Sequence, residues 1–170
     1  MNIFIPKMYQ KDIFSIDYKK IKELGYKLII FDLDNTIGSI KEEYCSREIA
    51  DFINNLTKDF IVVVASNSLP SRVSKFCSLL KCESFSLSLK PTLNVVRKIK
   101  NKYKVSYQEM VIIGDQILTD IFVGNRKKLL TILVDPIGNI DFKITGFNRY
   151  FEKVINKKNN VVRGKYYDKK

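Results

Sequence analysis

Three short apolar runs constrain this chain more than any other feature: KLIIF at Lys27–Phe31, FIVVVA at Phe60–Ala65 and MVII at Met110–Ile113. Each is rich in β-branched residues, too short for a buried helix, and followed at once by polar or acidic residues, the pattern of strands buried on both faces of a parallel sheet. Helical spacing fills the intervals. It runs over Arg47–Lys58 through Ile49, Phe52, Ile53 and Leu56, then over Leu69–Leu80, where Pro70 is tolerated in the first turn, and over Pro91–Tyr103, opened by Pro91. A weaker strand is expected at Glu83–Leu87, a short helix at Ile117–Lys128 and a further strand at Leu129–Val134. Strands alternating with helices predict an α/β fold, a parallel sheet flanked by helices. The 170 residues, 45% of them apolar, suit one domain with its own core.

In such sheets ligands bind beyond the carboxyl ends of the strands. Asp32-Leu33-Asp34-Asn35-Thr36 follows the first run, Ser66-Asn67-Ser68 the second, and Gly114-Asp115 the third, with Asp120 further on. Continued strand geometry would put Asp32 and Asp34 on one face. Carboxylates held close repel, so one is protonated or both share a cation. With Asp115 they make a three-carboxylate edge suited to a hard ion such as Mg²⁺. Lys90 reaches the same edge from the loop before Pro91, and Ser66 offers a hydroxyl with free amides beyond it. A metal, a lysine and a hydroxyl around a phosphoryl group, with a carboxylate to attack it and another to move protons, are the parts of phosphoryl transfer.

The composition excludes the competing chemistries. There is no histidine, which removes Ser–His and Cys–His hydrolases and most zinc sites. Cys45, Cys77 and Cys82 are an odd number without metal-ligand spacing and read as packing thiols. None has an arginine six positions on, so a Cys-x₅-Arg phosphate loop is absent. No apolar run approaches the roughly 18 residues of a membrane span. The first residues, with Pro6, Lys7, Lys11 and Asp12, lack the form of a secretory signal. A cytoplasmic protein is expected.

These residues resemble the motifs of the haloacid dehalogenase (HAD) superfamily. Phe31-Asp-Leu-Asp-Asn-Thr36 is similar to motif I, Ser66 after FIVVVA to motif II, Lys90-Pro91 to motif III, and Gly114-Asp-Gln-Ile-Leu-Thr-Asp120 to motif IV. The resemblance implies a Rossmannoid phosphatase with Asp32 as nucleophile and Asp34 as general acid and base. It implies phosphate binding by Ser66, Asn67 and Lys90, and Mg²⁺ on Asp32, Asp115 and the backbone carbonyl of Asp34. Thr36 and Asp120 would support the site. GDQILTD, the following GNR (Gly124–Arg126), LVDPIG (Leu133–Gly138) and Gly146-Phe-Asn-Arg149 are similar to the YqeG-type branch, subclass IIIA. The lead-in Tyr9–Lys27 looks like that branch as well. The resemblance covers Ile5 to Val154. That branch is related to the phosphatidylglycerophosphate phosphatases of mitochondria and plastids, so the implied substrate is a phospholipid headgroup. Two departures stand out: ASNS where an ISNN-like string is usual, and Gly38-Ser39 where apolar and aromatic residues are typical.

HAD enzymes usually restrict substrates with an inserted cap. Here Thr36 is about ten residues from the next helix, and Ser66 to Lys90 spans one helix and one strand, so no cap domain is expected. An open site suits a protein, a nucleic-acid end or a lipid headgroup. The formal charge is +12, and Lys143–Lys170 carries nine Lys/Arg against Glu152 and Asp168. That basic end fits either an anionic partner or a plain solvated tail. On a membrane's inner face each nearby cation would contribute about 1 kcal/mol. Phe142–Ile155 reads as an interfacial helix or as one packed on the sheet. The expected organisation is a single capless domain over 1–155 and a basic, mobile tail over 156–170. Rival readings are a phosphatase of nucleic-acid ends, nucleotides or phosphoproteins, and a non-catalytic HAD scaffold. A receiver domain of two-component signalling is disfavoured by order, since it opens with an adjacent acidic pair and needs its acids before the lysine.

Overall fold

The computed structural model describes residues 3–138. The expected helix at Phe142–Ile155, the tail over 156–170 and the domain boundary between them lie outside the described residues.

A six-stranded, wholly parallel sheet organises the chain. Its strands are β1 (Met8–Gln10), β2 (Leu28–Phe31), β3 (Ile61–Ala65), β4 (Glu83–Phe85), β5 (Met110–Gly114) and β6 (Leu130–Val134), in the spatial order β1-β6-β5-β2-β3-β4. The helices are α1 (Tyr18–Glu23), α2 (Arg47–Leu56), α3 (Pro70–Phe76), α4 (Asn94–Tyr103) and α5 (Phe122–Arg126). Strand alternation divides the core in two. Ile29, Phe31, Val62, Val64, Val111 and Ile113 meet Ala50 and Ile53 of α2 and Val73 and Phe76 of α3 on one face. Leu28, Ile30, Val63, Ala65 and Ile112 meet Val95, Val96 and Ile99 of α4 and Val123 of α5 on the other. Burial on both faces is why β2, β3 and β5 read as continuous apolar runs.

The expected central strands and helices form within a few residues of their expected bounds. Four differences have local causes. First, β1 was not anticipated: three residues carry no periodicity, and the strand exists through pairing with β6, Met8 opposite Ile132 and Gln10 opposite Val134. Second, α1 was likewise not anticipated; it is capped at its start by Asp17, whose carboxylate accepts from the Lys20 N–H. Third, α4 begins at Asn94 and not at Pro91. Both backbone groups of Lys90 are bonded to the Asn67 side chain, and the Thr92 N–H closes a turn on the Leu89 carbonyl, so the chain cannot wind into a helix there. Fourth, the helix expected over 117–128 starts as a π-turn, Ile117–Ile121, in which the Asp120 and Ile121 N–H groups both reach the Gln116 carbonyl. π-turns of this kind concentrate at functional sites.

The usual cap positions hold no domain. The only bridge between Thr36 and α2 is the isolated pair of Asp34 with Gly38 at its start, and α3, a 3₁₀ turn at Cys77–Leu79 and β4 fill Ser66 to Lys90. Among the described residues no helix is long and apolar enough to cross a membrane.

Candidate active site

Register brings the motifs together. Phe31 pairs with Ile113 on one side and Val64 on the other. One residue further, Asp32 therefore stands level with Gly114 and Ala65, and its N–H donates to the Ile113 carbonyl. Ser66 and Asp115 follow at the same edge. Beyond Asp32 the strand stops. Asn35 turns the chain through a left-handed conformation (φ 65) and its N–H closes on the Gly38 carbonyl at 2.7 Å. The Ile137 N–H of the loop after β6 holds the Asn35 carbonyl at 2.9 Å.

Lys90 is the centre of the cluster. Its side chain is 2% exposed, and Nζ lies 2.6 Å from Asp32 Oδ1 and 2.6 Å from Asp120 Oδ1. Burial alone would push its ammonium toward neutrality, but the carboxylates of Asp120 and Asp32 outweigh that and raise it above the ordinary lysine range. Burial pushes the Asp32 carboxyl up to about 7, with Lys90 pulling against it and Asp120 adding to it. Thr36 Oγ1 sits 3.5 Å from Asp32 Oδ2, the limit of a hydrogen bond. Asn67 clamps the Lys90 backbone: its Nδ2 donates to the Lys90 carbonyl at 2.9 Å, and its Oδ1 accepts the Lys90 N–H at 2.8 Å. Its side-chain amide is thus engaged in holding the lysine loop.

Asp34 does not share Asp32's surroundings. The turn after Asp32 directs its carboxylate to Ser68 Oγ (2.5 Å), Ser66 Oγ (3.4 Å) and the Arg72 guanidinium (Nη2 to Oδ1, 2.9 Å). Arg72 also donates to the Ser39 carbonyl at 3.0 Å and to the Glu42 carbonyl, and its guanidinium lies over the Phe76 ring. It ties the acid to the loop after motif I. The Gly38 departure has its reason here, because a Cβ at Gly38 would lie 2.2 Å from the Phe76 ring. Arg72 is not among the residues that the sequence singles out, and Ser68 appears there only as part of the Ser66-Asn67-Ser68 segment, with no role of its own. A serine in a loop and an arginine on a helix carry no local signature of an acid 34 and 38 positions away.

The carboxylates that converge are Asp32, Asp115 and Asp120, all buried, each offering an oxygen within 4.8 Å of the others. The sequence-expected metal set had Asp115 and Asp32 with the Asp34 carbonyl; Asp120, expected as a supporting residue, joins the carboxylate group itself. Three buried carboxylates that converge, all hard oxygen donors, fit a divalent cation such as Mg²⁺.

The HAD-hydrolase-like family model matches residues 89–136, which carry Lys90, Asp115 and Asp120. The chain is 33% identical over 153 residues to the Bacillus subtilis (strain 168) protein named "Probable phosphatase YqeG", covering 89% of each. It is 23% identical over 147 residues to the Arabidopsis thaliana chloroplastic/mitochondrial phosphatidylglycerophosphate phosphatase 1, covering 81% of this chain but 42% of that protein. A HAD family enzyme of Bacteroides thetaiotaomicron, solved in complex with magnesium and inorganic phosphate, has the same fold: TM-score 0.53 at 10% identity, over 71% of this chain and 98% of that one. Identity at the level of the Bacillus protein, sustained along nearly the whole of both chains, decides the matter: the chain belongs to the YqeG-type phosphatases of the HAD superfamily.

Proposed function

We propose that this phosphatase hydrolyses a phospholipid monoester, phosphatidylglycerophosphate, through an aspartyl-phosphate on Asp32. The observation that carries the mechanism is the buried Lys90 ammonium held between Asp32 and Asp120. It steers the Asp32 carboxylate and presents positive charge where a phosphoryl group would sit. In this reading Asp32 attacks phosphorus and the ester oxygen leaves. Asp34, aimed by Arg72 and Ser68, protonates that oxygen and then takes a proton from the water that hydrolyses the aspartyl-phosphate. Ser66 and the amides after it hold phosphoryl oxygens. Asn67 and Asp120 keep Lys90 in place, and Thr36 supports Asp32. Mg²⁺, held by Asp32, Asp115 and the Asp34 carbonyl with Asp120 alongside, would neutralise charge on the phosphoryl oxygens; the structural neighbour solved with magnesium and phosphate supports this assignment.

The lipid substrate is supported by the plant relative's name and by a site that, among the described residues, no cap encloses. The test is phosphate release from phosphatidylglycerophosphate in detergent micelles, with Mg²⁺ or EDTA, beside soluble phosphomonoesters and a 5′-phosphorylated oligonucleotide. Mg²⁺-dependent turnover of the lipid, abolished in Asp32→Asn and exceeding that of the panel, is expected. Preference for the oligonucleotide or a soluble ester would keep the chemistry and discard the lipid. No turnover on any ester would discard both.

A further inference from the structure

Leucine fits the left-handed region of backbone space poorly, because its Cβ crowds the neighbouring carbonyl. Leu87 (φ 46) and Leu89 (φ 51) both adopt it, two residues apart. Neither offsets that strain by burial, since they are 49% and 61% exposed. Leu69, 63% exposed, stands at the N-cap of α3 with no side-chain capping bond, a position that favours Ser, Thr, Asp or Asn. Three leucines thus occupy places where leucine is locally the wrong choice and where much of the side chain stays exposed. Broken local rules of this kind mark function.

They also share one location. The Leu87 N–H donates to the Ser68 carbonyl, so the two loops lie side by side at the carboxyl edge of the sheet. The residues alternating with them turn inward. Ser88 is buried, its N–H on the Ser66 carbonyl and its Oγ on the Phe85 carbonyl, and Lys90 is buried between Asp32 and Asp120. Cations flank the outward side chains. Lys98 lines the cavity beside Leu87 and Leu89, Arg97 and Arg126 line the neighbouring one, and among the described residues no acidic one lines either. Exposed aliphatic side chains beside basic ones, on a chain of net charge +12, match the surface of an anionic bilayer.

We infer that Leu69, Leu87 and Leu89 form the membrane-docking rim of the active site. They enter the boundary between headgroups and acyl chains while Arg97 and Lys98 lie among anionic headgroups. The uncapped mouth is thereby brought to the level of a headgroup phosphomonoester. This rests on the lipid reading above and adds to it the surface by which the lipid is reached.

The test is the Leu69→Asn/Leu87→Asn/Leu89→Asn variant of the full chain. Asparagine suits an N-cap and tolerates the left-handed backbone, so the melting temperature should rise by about 2–4 °C or more. Affinity for unilamellar vesicles of equal parts phosphatidylcholine and phosphatidylglycerol, measured by flotation, should fall by at least about tenfold. Turnover of p-nitrophenyl phosphate should stay within about twofold. Unchanged vesicle affinity would overturn the rim even if the parent hydrolyses the lipid in micelles. Leucine-dependent vesicle binding by a parent that fails on micellar lipid would support the rim and remove the lipid-substrate reading. A concentration-dependent dimer that the variant abolishes would overturn the membrane in favour of a second copy of the chain.

Discussion

Gly114→Ala should disable the site by displacing Asp120, without replacing any residue of the site itself. A Cβ at Gly114 would lie 2.3 Å from Asp120 Cγ and Oδ2 and 2.7 Å from Asp120 Cβ. The Gly114 backbone is not in the left-handed region, so space alone decides the outcome. Ordinary contact begins near 3.4 Å, so Asp120 must retreat by roughly 1 Å. It is fully buried and anchored in the π-turn. A retreat of that size stretches its 2.6 Å bond to Lys90 to about 3.6 Å, no longer a hydrogen bond. Overpacking of this kind costs about 2 kcal/mol, or roughly 4–8 °C in melting temperature for a chain of this length. Freeing one of the two anchors of Lys90, the lysine proposed to face the phosphoryl group, should lower kcat on the order of a hundredfold. Urea denaturation followed by circular dichroism and a phosphate-release assay measure the two effects. A double-mutant cycle identifies the cause: in an Asp120→Ala background most of the crowding is gone, and Gly114→Ala should cost at least about 1 kcal/mol less than in the parent. Equal costs in the two backgrounds would refute the argument, because the added methyl would then be colliding with something other than Asp120.

Arg72→Met keeps the packing on Phe76 but loses the ion pair with Asp34. If Arg72 aims the acid, turnover of an alkyl phosphate should fall at least about tenfold more than that of p-nitrophenyl phosphate, whose leaving group needs little protonation; Arg72→Lys should restore part of the difference, and an equal fall on both esters would count against the role. Burial raises the thiols of Cys45 and Cys77 to about 11 and that of Cys82 to about 12. The sign is toward the unreactive thiol, so at about pH 8 Ellman's reagent should modify the native thiols at least about a hundredfold more slowly than a free cysteine, and all three rapidly in guanidinium. Asn125 donates to the Ile3 and Ile5 carbonyls and accepts from Thr131 Oγ1. Asn125→Ala should cost about 2 kcal/mol and speed tryptic cleavage after Lys7, read by intact mass, with little change in kcat.

The convergence of the motif residues on one sheet edge was legible in sequence because the motifs are local. Each sits within a few residues of a strand that its own side chains announce, and parallel register does the rest: once β2 lies between β3 and β5, Asp32, Ser66 and Asp115 have no other place to be. What escaped was set by contacts distant in sequence. β1 exists through β6, over 120 residues away in the chain. The start of α4 depends on Asn67 bonding the Lys90 backbone from 23 positions away. The GNR string reads as a family signature, and its asparagine turns out to fasten the segment before β1.

The pairing of Asp32 with Asp34 is the most instructive difference. Strand periodicity would place both on one face, where two carboxylates compete for the same cation. The left-handed turn at Asn35 and the Asp34–Gly38 bridge separate them within three residues. Asp32 keeps a buried lysine and two further acids for company, whereas Asp34 takes an arginine and two serines at the mouth. Under the proposed mechanism the two acids do different work, and their surroundings differ accordingly. Asp32 lies in a buried cluster with Lys90 and two further acids, where the proposal puts the attacking group. Asp34 lies nearer solvent with Arg72 and the hydroxyls of Ser66 and Ser68, where the proposal puts the group that exchanges protons. Arg72 is therefore as much a part of this division as Lys90, and its reach back to the Ser39 and Glu42 carbonyls makes the loop after motif I the element that sets where the second acid points.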